Sequence, residues 1–191
     1  MSGWREHLGT AVALPREGID TDQLIPARFM STPRSAGYGG YLLHDLKHAG
    51  AVPDIEGASI LITKRNFGGG SSREAAVYAL IDAGFRVVVA PSFGDIFAGN
   101  AINNGLLPAR LDTAPLLDAL ADGPRDARVH VEAGTIHLGN HVLEFELDAT
   151  ARTKLINGWD DIDLTKAQTK PIAEHRDGLK ASRPWIWPGA R

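Results

Sequence analysis

The chain predicts an α/β fold with a mainly parallel central sheet and a polar helical tail. Three short apolar runs, at residues 59–63, 85–90 and 106–110, carry that prediction. Each has the length of a strand rather than a helix. Each is also as apolar as a strand covered on both faces must be. Between them lie two segments of helical period, 73–83 and 93–101. A strand–helix–strand–helix–strand order makes the strands parallel neighbours.

Residues 10–14 read as a first strand and 15–18 as its turn. Residues 31–40 are rich in Gly, Ser and Pro and form a loop by composition; residues 41–48 suit a short helix. Gly84 stands where a helix ending at Ala83 needs a left-handed residue. A helical segment at 114–120 is closed by Gly123 and Pro124. Two alternating runs, 127–132 and 135–147, then predict a β-hairpin with Gly139-Asn140 inside it, laid against a second sheet. From Ala149 the pattern is helical and polar. Residues 170–191 are charged, with Trp185 and Trp187 near the end. The simplest division is one domain over 1–158 and a helical or extended tail over 159–191, packed on that domain or on a partner.

The 191 residues are 43% hydrophobic and 23% charged, enough for one good core. A net charge of −3 and a pI near 6.1 argue against a general nucleic-acid or membrane-surface binder. No apolar run approaches the ~20 residues of a membrane span. The first residues lack the apolar stretch of a secretory signal, so a cytoplasmic protein is expected. The chain has no cysteine. That excludes disulfides, thiolate zinc sites and a cysteine-held iron–sulfur cluster on this chain. His44 and His48 would share one face of a helix, but no Glu-x-x-His pairing accompanies them, and a solvated face is the expectation.

The densest chemistry lies in Asn66-Phe67-Gly68-Gly69-Gly70-Ser71-Ser72-Arg73-Glu74, between a strand and a helix. Glycines free the backbone for a tight turn and leave amides uncovered. Ser71 occupies an N-cap position with Glu74 three residues on, the spacing of a capping box. The turn thus offers two hydroxyls, a guanidinium and a helix N-terminus at one point, which suits an anion. Arg73 adds the option of a bidentate carboxylate clamp. Taken alone, the segment also fits a purely structural turn. It is not a Walker A loop, because the Gly-Lys-Ser/Thr ending is absent. It is not a dinucleotide fingerprint either, because Arg73 stands where the third glycine belongs.

Three segments together extend this reading. Asp20-Thr21-Asp22-Gln23-Leu24-Ile25-Pro26-Ala27-Arg28-Phe29, the glycine turn, and Ala90-Pro91-Ser92-Phe93-Gly94-Asp95-Ile96-Phe97 with Gly99-Asn100 and Asn103-Asn104-Gly105-Leu106-Leu107-Pro108 follow one another in that order. In this order they resemble the motifs of the small subunits of bacterial 3-isopropylmalate dehydratase (isopropylmalate isomerase). The closing Arg183-Pro184-Trp185 fits as well, so the resemblance spans nearly the whole length. It implies the swivelling domain of the aconitase superfamily, a three-layer β/β/α fold. It also implies a hydro-lyase of leucine biosynthesis that is active only with a large subunit. That partner would carry the [4Fe–4S] cluster, and no cofactor would be bound by this chain. The substrate would be a small dicarboxylate.

By the same resemblance, Ser71 is the base that removes the carbon-bound proton, and Arg73 stabilises it and binds a substrate carboxylate. Asp22 matches the motif's carboxylate, expected to orient a histidine of the large subunit. Arg34, Ser72 and Arg28 are the substrate-binding candidates. Asp20 and Thr21 read as turn caps. Phe29, Met30, Tyr38 and Tyr41 are placed either to line an apolar pocket for the alkyl group or to fill the core. Two positions depart from the family's usual Gly-Cys-Gly-Ser-Ser-Arg-Glu-His, since Gly69 replaces the cysteine and Ala75 the histidine. They leave open a related hydro-lyase acting on methylmalate or dimethylmalate, and a non-catalytic anion-binding paralogue.

Overall fold

A computed structural model describes residues 2–187; the last residues of the expected tail, 188–191, lie outside them. The chain runs β1 (Glu6–Leu14), α1 (Thr21–Leu24), three 3-10 turns (Ala27–Phe29, Arg34–Ala36 and Gly39–Tyr41) and α2 (His44–His48). It continues β2 (Ile60–Thr63), α3 (Glu74–Asp82), β3 (Val87–Ala90), α4 (Asp95–Asn103), β4 (Leu107–Arg110) and α5 (Ala114–Ala119). Then come β5 (Arg125–His130), β6 (Thr135–Leu138), β7 (His141–Glu144), α6 (Ala149–Asn157), α7 (Asp161–Ala167), α8 (Thr169–Ser182) and a last 3-10 turn, Pro184–Ile186.

The strands form a seven-stranded sheet in the order β4-β3-β2-β1-β5-β6-β7. Neighbours β1 to β4 are parallel and β1, β5, β6 and β7 antiparallel. β2 and β3 are buried along their whole length, as unbroken apolar runs require. Their side chains alternate between two cores. Val12, Leu14, Leu61, Val88 and Ala90 face the helices and meet Leu24, Phe67, Val77, Leu80 and Phe97. Ala11, Ile60, Ile62, Val87, Val89 and Leu107 face the other way and meet Val129, Ile136, Leu138, Leu116 and Leu155.

The second core explains the three layers. The antiparallel half of the sheet folds across the parallel half, and the helices cover the opposite face. Glu146, just past β7, donates its amide to the carbonyl of Arg110 on β4 at 2.9 Å, so the far ends of the sheet meet again. The expected hairpin is present, but the second sheet is a correction: its strands continue the first one through β1. That strand begins at Glu6, not Thr10, because residues 6–11 pair with β5 while residues 11–14 pair with β2. Gly84 ends α3 with φ of 98°, as its position predicted. Helices α7 and α8 bury no residue.

His7 ties the start of β1 to the start of β2, its Nε2 lying 2.8 Å from the Ser59 hydroxyl. Burial first, and the nearby Arg86 guanidinium second, push this imidazole below its ordinary 6.5. The unfolded chain therefore binds a proton at pH values where the folded chain does not, and stability falls as pH drops below about 6.5. His7→Gln should flatten that slope in urea midpoints measured between pH 5 and 7.5. A slope identical to that of the parent chain would show that the imidazole is not held neutral.

Candidate active site

The carboxyl ends of β1, β2 and β3 lead into the three motif segments, the usual location of a ligand crevice in a parallel sheet. There the segments interlock through their backbones. Gly68 donates its amide to Ile19 O at 2.7 Å, and Thr21 N donates to Gly69 O at 3.0 Å. On the other side Phe67 N reaches Ser92 O at 3.1 Å, and Gly94 N reaches Phe67 O at 2.9 Å. The Ser92 hydroxyl accepts the amide of Asn66 at 2.9 Å. Asn66 has φ of 60°, a left-handed conformation that its short polar side chain tolerates.

Two glycines make this approach possible. A Cβ on Gly68 would lie 2.2 Å from the Phe97 ring, and one on Gly94 would lie 2.5 Å from Gly68 O. Phe67 and Phe97 pack edge to face beneath the turn, with centroids 5.3 Å apart. Gly69 differs: its φ is ordinary, and an added Cβ would come no nearer than 3.1 Å to the Asn66 side chain. The backbone at 69 therefore does not demand glycine, and a side chain there needs only a small shift of the Asn66 side chain. Ala75 is half-buried against the helix-side core.

Ser71 and Ser72 are exposed at the top of the turn, and Arg73 follows them half-buried. The expected capping box is corrected by the structure. Arg73, not Ser71, is the N-cap of α3, and no side chain caps it. The reason is a competing pair of bonds. The Thr21 hydroxyl donates to Ser71 O at 3.0 Å, fixing Ser71 to the first motif. The carboxylate of Glu74 accepts from Asn104 Nδ2 at 2.7 Å and so does not reach back. Asp20 does cap α1, accepting from Gln23 N at 2.7 Å. Thr21, read as a simple turn cap, thus holds the serine turn, and only its place between two aspartates hinted at that.

Arg73 Nη1 pairs with Asp22 Oδ1. The Asp22 carboxylate thus faces an arginine of its own chain. The Arg73 side chain is 16% exposed and that of Asp22 56%. Among the described residues, Nε and Nη2 of Arg73 have no hydrogen-bond partner, leaving one edge of the fork for a ligand carboxylate. The first two motifs therefore bring Ser71, Ser72, Arg73 and Asp22 together.

Arg34 and Arg28 are placed elsewhere. Arg34 donates from Nη1 and Nη2 to both oxygens of Asp82, at 2.7 and 2.9 Å. Its guanidinium lies over the Tyr78 ring at 4.4 Å. Asp82 ends α3, nine positions past Arg73, or about 13 Å along the helix at 1.5 Å per residue. It also accepts the Tyr38 amide at 2.7 Å, so one carboxylate fastens the loop after the first motif. Arg28 is paired with Asp45 on α2. That bond, with a second from His44, holds the Asp45 carboxyl well below the usual carboxylate range. Of the aromatic candidates, Tyr38 is core, and Phe29 stacks on Tyr41 at 4.3 Å against the helix-side core. Met30 stays exposed. His44 and His48 stack at 4.1 Å on α2, and among the described residues no group of three His, Asp or Glu is placed to hold a metal ion. A larger groove, about 1210 Å³, runs along Leu14, Val52 and Leu117. It contains none of the motif residues, so its size is no guide to the chemistry.

These loops define an aconitase-type C-terminal domain, and the profile described as "Aconitase C-terminal domain" matches residues 44–114. The chain is 43% identical to a 3-isopropylmalate dehydratase small subunit of Shouchella clausii, over 89% of this chain and 94% of that one. It is 40% identical to that of Shewanella amazonensis, over 96% and 100%. A crystal structure of 3-isopropylmalate dehydratase from Methanocaldococcus jannaschii superposes with a TM-score of 0.70 at 25% identity, covering 89% of this chain and 99% of that one. The chain belongs to the 3-isopropylmalate dehydratase small-subunit family.

Gly68→Ala combines a left-handed φ with overlap on Phe97 and should cost about 2–5 kcal/mol. Gly69→Ala should stay within about 1 kcal/mol. Urea unfolding of the two variants checks the contrast, and equal losses would mean that the Phe97 contact does not set the turn.

Proposed function

We propose that this chain is the small subunit of a two-subunit hydro-lyase that interconverts 2- and 3-isopropylmalate by dehydration and rehydration, in leucine biosynthesis. The observation that carries the reading is the pairing of an exposed Ser71 with a fork-shaped Arg73 at the N-terminus of α3. Membership of the family supports it. The large subunit closes over this face and brings the [4Fe–4S] cluster, which supplies Lewis acidity at the departing hydroxyl when bound. No helix among the described residues is long and apolar enough to cross a membrane, and the proposed setting is the cytoplasm.

The residues of this chain hold the substrate and move one proton. Dehydration takes a proton from a carbon beside a carboxylate while the hydroxyl leaves the neighbouring carbon. Rehydration returns the two in exchanged positions. Ser71 Oγ is the group that accepts and returns the proton. A serine hydroxyl is a very weak acid, so its deprotonated form needs the helix N-terminus and the Arg73 charge beside it. The open edge of Arg73 clamps a substrate carboxylate, and the Ser72 hydroxyl donates to the ligand. Asp22 holds Arg73 in that pose. Arg28 and Arg34, engaged by Asp45 and Asp82, order the loop beyond the first motif. The exposed turn also explains why the subunit would not act alone: water competes with every one of these contacts until a second wall excludes it.

Reconstitution with the large subunit under anaerobic conditions tests the reading. Ser71→Ala should abolish turnover of 3-isopropylmalate and leave subunit association unchanged; near-normal turnover would sink the base assignment. Preference for methylmalate or dimethylmalate over isopropylmalate would keep the chemistry and move the substrate. Arg73→Lys should raise KM about tenfold or more, because a point charge does not replace a planar fork. Arg34→Lys should raise it less than about threefold. The reverse order would transfer the carboxylate clamp to Arg34.

A further inference from the structure

We propose that Asn104 is a positioning residue for the Ser71–Arg73 turn, acting through Glu74; the proposal rests on the site reading above. Asn104 sits just past the end of α4, in the third motif, about 30 residues from the turn it serves. Its Nδ2 carries two hydrogens, and both are used. One goes to Asn100 O at 2.9 Å and fastens the amide to its own helix. The other goes to Glu74 Oε1 at 2.7 Å. Glu74 is the first residue of α3 and directly follows Arg73.

The tether starts from a firm anchor. Lys154, nearly buried, donates to Asn103 Oδ1 at 2.9 Å, and Asn103 Nδ2 reaches Asp161 Oδ2 at 3.1 Å. Buried Trp4 donates Nε1 to Gly105 O at 3.1 Å. The residues on either side of Asn104 are therefore pinned from the side away from α3. The far end of the tether needs such support. α3 begins without a side-chain cap, and the first turn of an uncapped helix is the part most prone to fray. A fraying first turn would move Arg73 and the start of the helix that follows Ser71. The bond from Asn104 to Glu74 takes the place of the missing cap, with an anchor on the neighbouring helix instead of the preceding loop. A misplacement of about 1 Å in such a group is enough to cost a large part of the rate.

The test is a charge-and-amide exchange in the reconstituted two-subunit enzyme. Asn104→Asp sets a carboxylate against Glu74 and removes the donor, and turnover should fall about tenfold with KM changed less than about threefold. Glu74→Gln alone should be close to the parent, since a glutamine carbonyl still accepts from Asn104. The double variant Glu74→Gln/Asn104→Asp restores the bond in reverse and should recover most of the loss. A general folding defect at Asn104 would not be rescued by a change on another helix. Glu74→Ala, which leaves Asn104 and its bond to α4 intact, should lower turnover like Asn104→Asp and gives the answer if the latter does not fold. Turnover within twofold of the parent in Asn104→Asp, or no recovery in the double variant, overturns the proposal. Ser71→Ala in the same assay separates two failures. Its inactivity beside an active Asn104→Asp removes Asn104 and leaves the site. If Ser71→Ala is active, the site reading falls, and amide exchange across residues 75–77 of the isolated chain still decides the tether: faster in Asn104→Asp and slowed again in the double variant supports it, and no change overturns it.

Discussion

The close approach of three backbones at Gly68 is the constraint on which the rest depends. Residues 19–21, 67–69 and 92–94 lie side by side as a short extension of the parallel sheet. No side chain at residue 68 or 94 would allow it. Because the bonds are backbone to backbone, the relative positions of the first motif's carboxylate, the serine turn and the start of α4 are set before any polar side chain acts. Asp22 meets Arg73 for that reason, and Thr21 reaches the carbonyl of Ser71 for the same one. The aromatic pair beneath the turn, Phe67 and Phe97, fills the volume that the glycines leave open.

The three arginines first read as site residues separate on electrostatic grounds. Each faces a carboxylate, but the surroundings differ. Arg73 lies at the N-terminal, positive end of α3, where its charge adds to that of the helix. Two positive sources at one point are unfavourable without an anion, and the mostly exposed Asp22 meets that need only from one side. Arg34 lies at the opposite end of the same helix. There Asp82 and the helix C-terminus are both negative, and a cation is what the local field asks for. Stacking on Tyr78 adds to the fit. Arg28 and Asp45 sit in solvent, where such a pair adds little to stability. Of these three, Arg73 alone sits at the positive end of a helix.

The parts of this molecule legible in the sequence are those decided by nearby residues. β2 and β3 were readable because both faces are buried and the runs are uniformly apolar; Gly84 was readable because a helix end demands a left-handed residue. The glycine turn that carries Ser71 and Arg73 was readable because it is local. What could not be read depends on residues far apart. The first four residues of β1, Glu6-His7-Leu8-Gly9, lack the alternation of a strand and gain their strand character from β5, more than a hundred positions away. The hairpin's turn chemistry announced two paired strands but said nothing of which sheet they would extend. The capping box obeyed its spacing and failed because Asn104 and Thr21 offered its members better partners. Arg34 was read from motif order, and its partner in the structure, Asp82, carries no motif at all.

The exposure of Ser71 follows from the same architecture. Its hydroxyl belongs to a turn held from below and on both flanks, so rigidity there does not require burial from above. The proton-accepting role proposed for it does require such burial, because in water a serine alkoxide has no advantage over hydroxide. This chain supplies the fixed geometry and the positive end of a helix, while the low-dielectric surroundings that make those charges effective must come from another surface. A separate subunit that closes over a preformed turn meets both demands. On the function proposed above, it would leave the turn open for substrate to enter and withdraw water once the carboxylate is on Arg73. On that proposal, the division of labour between two chains is a consequence of asking one group to be accessible at binding and dry at the moment of proton transfer.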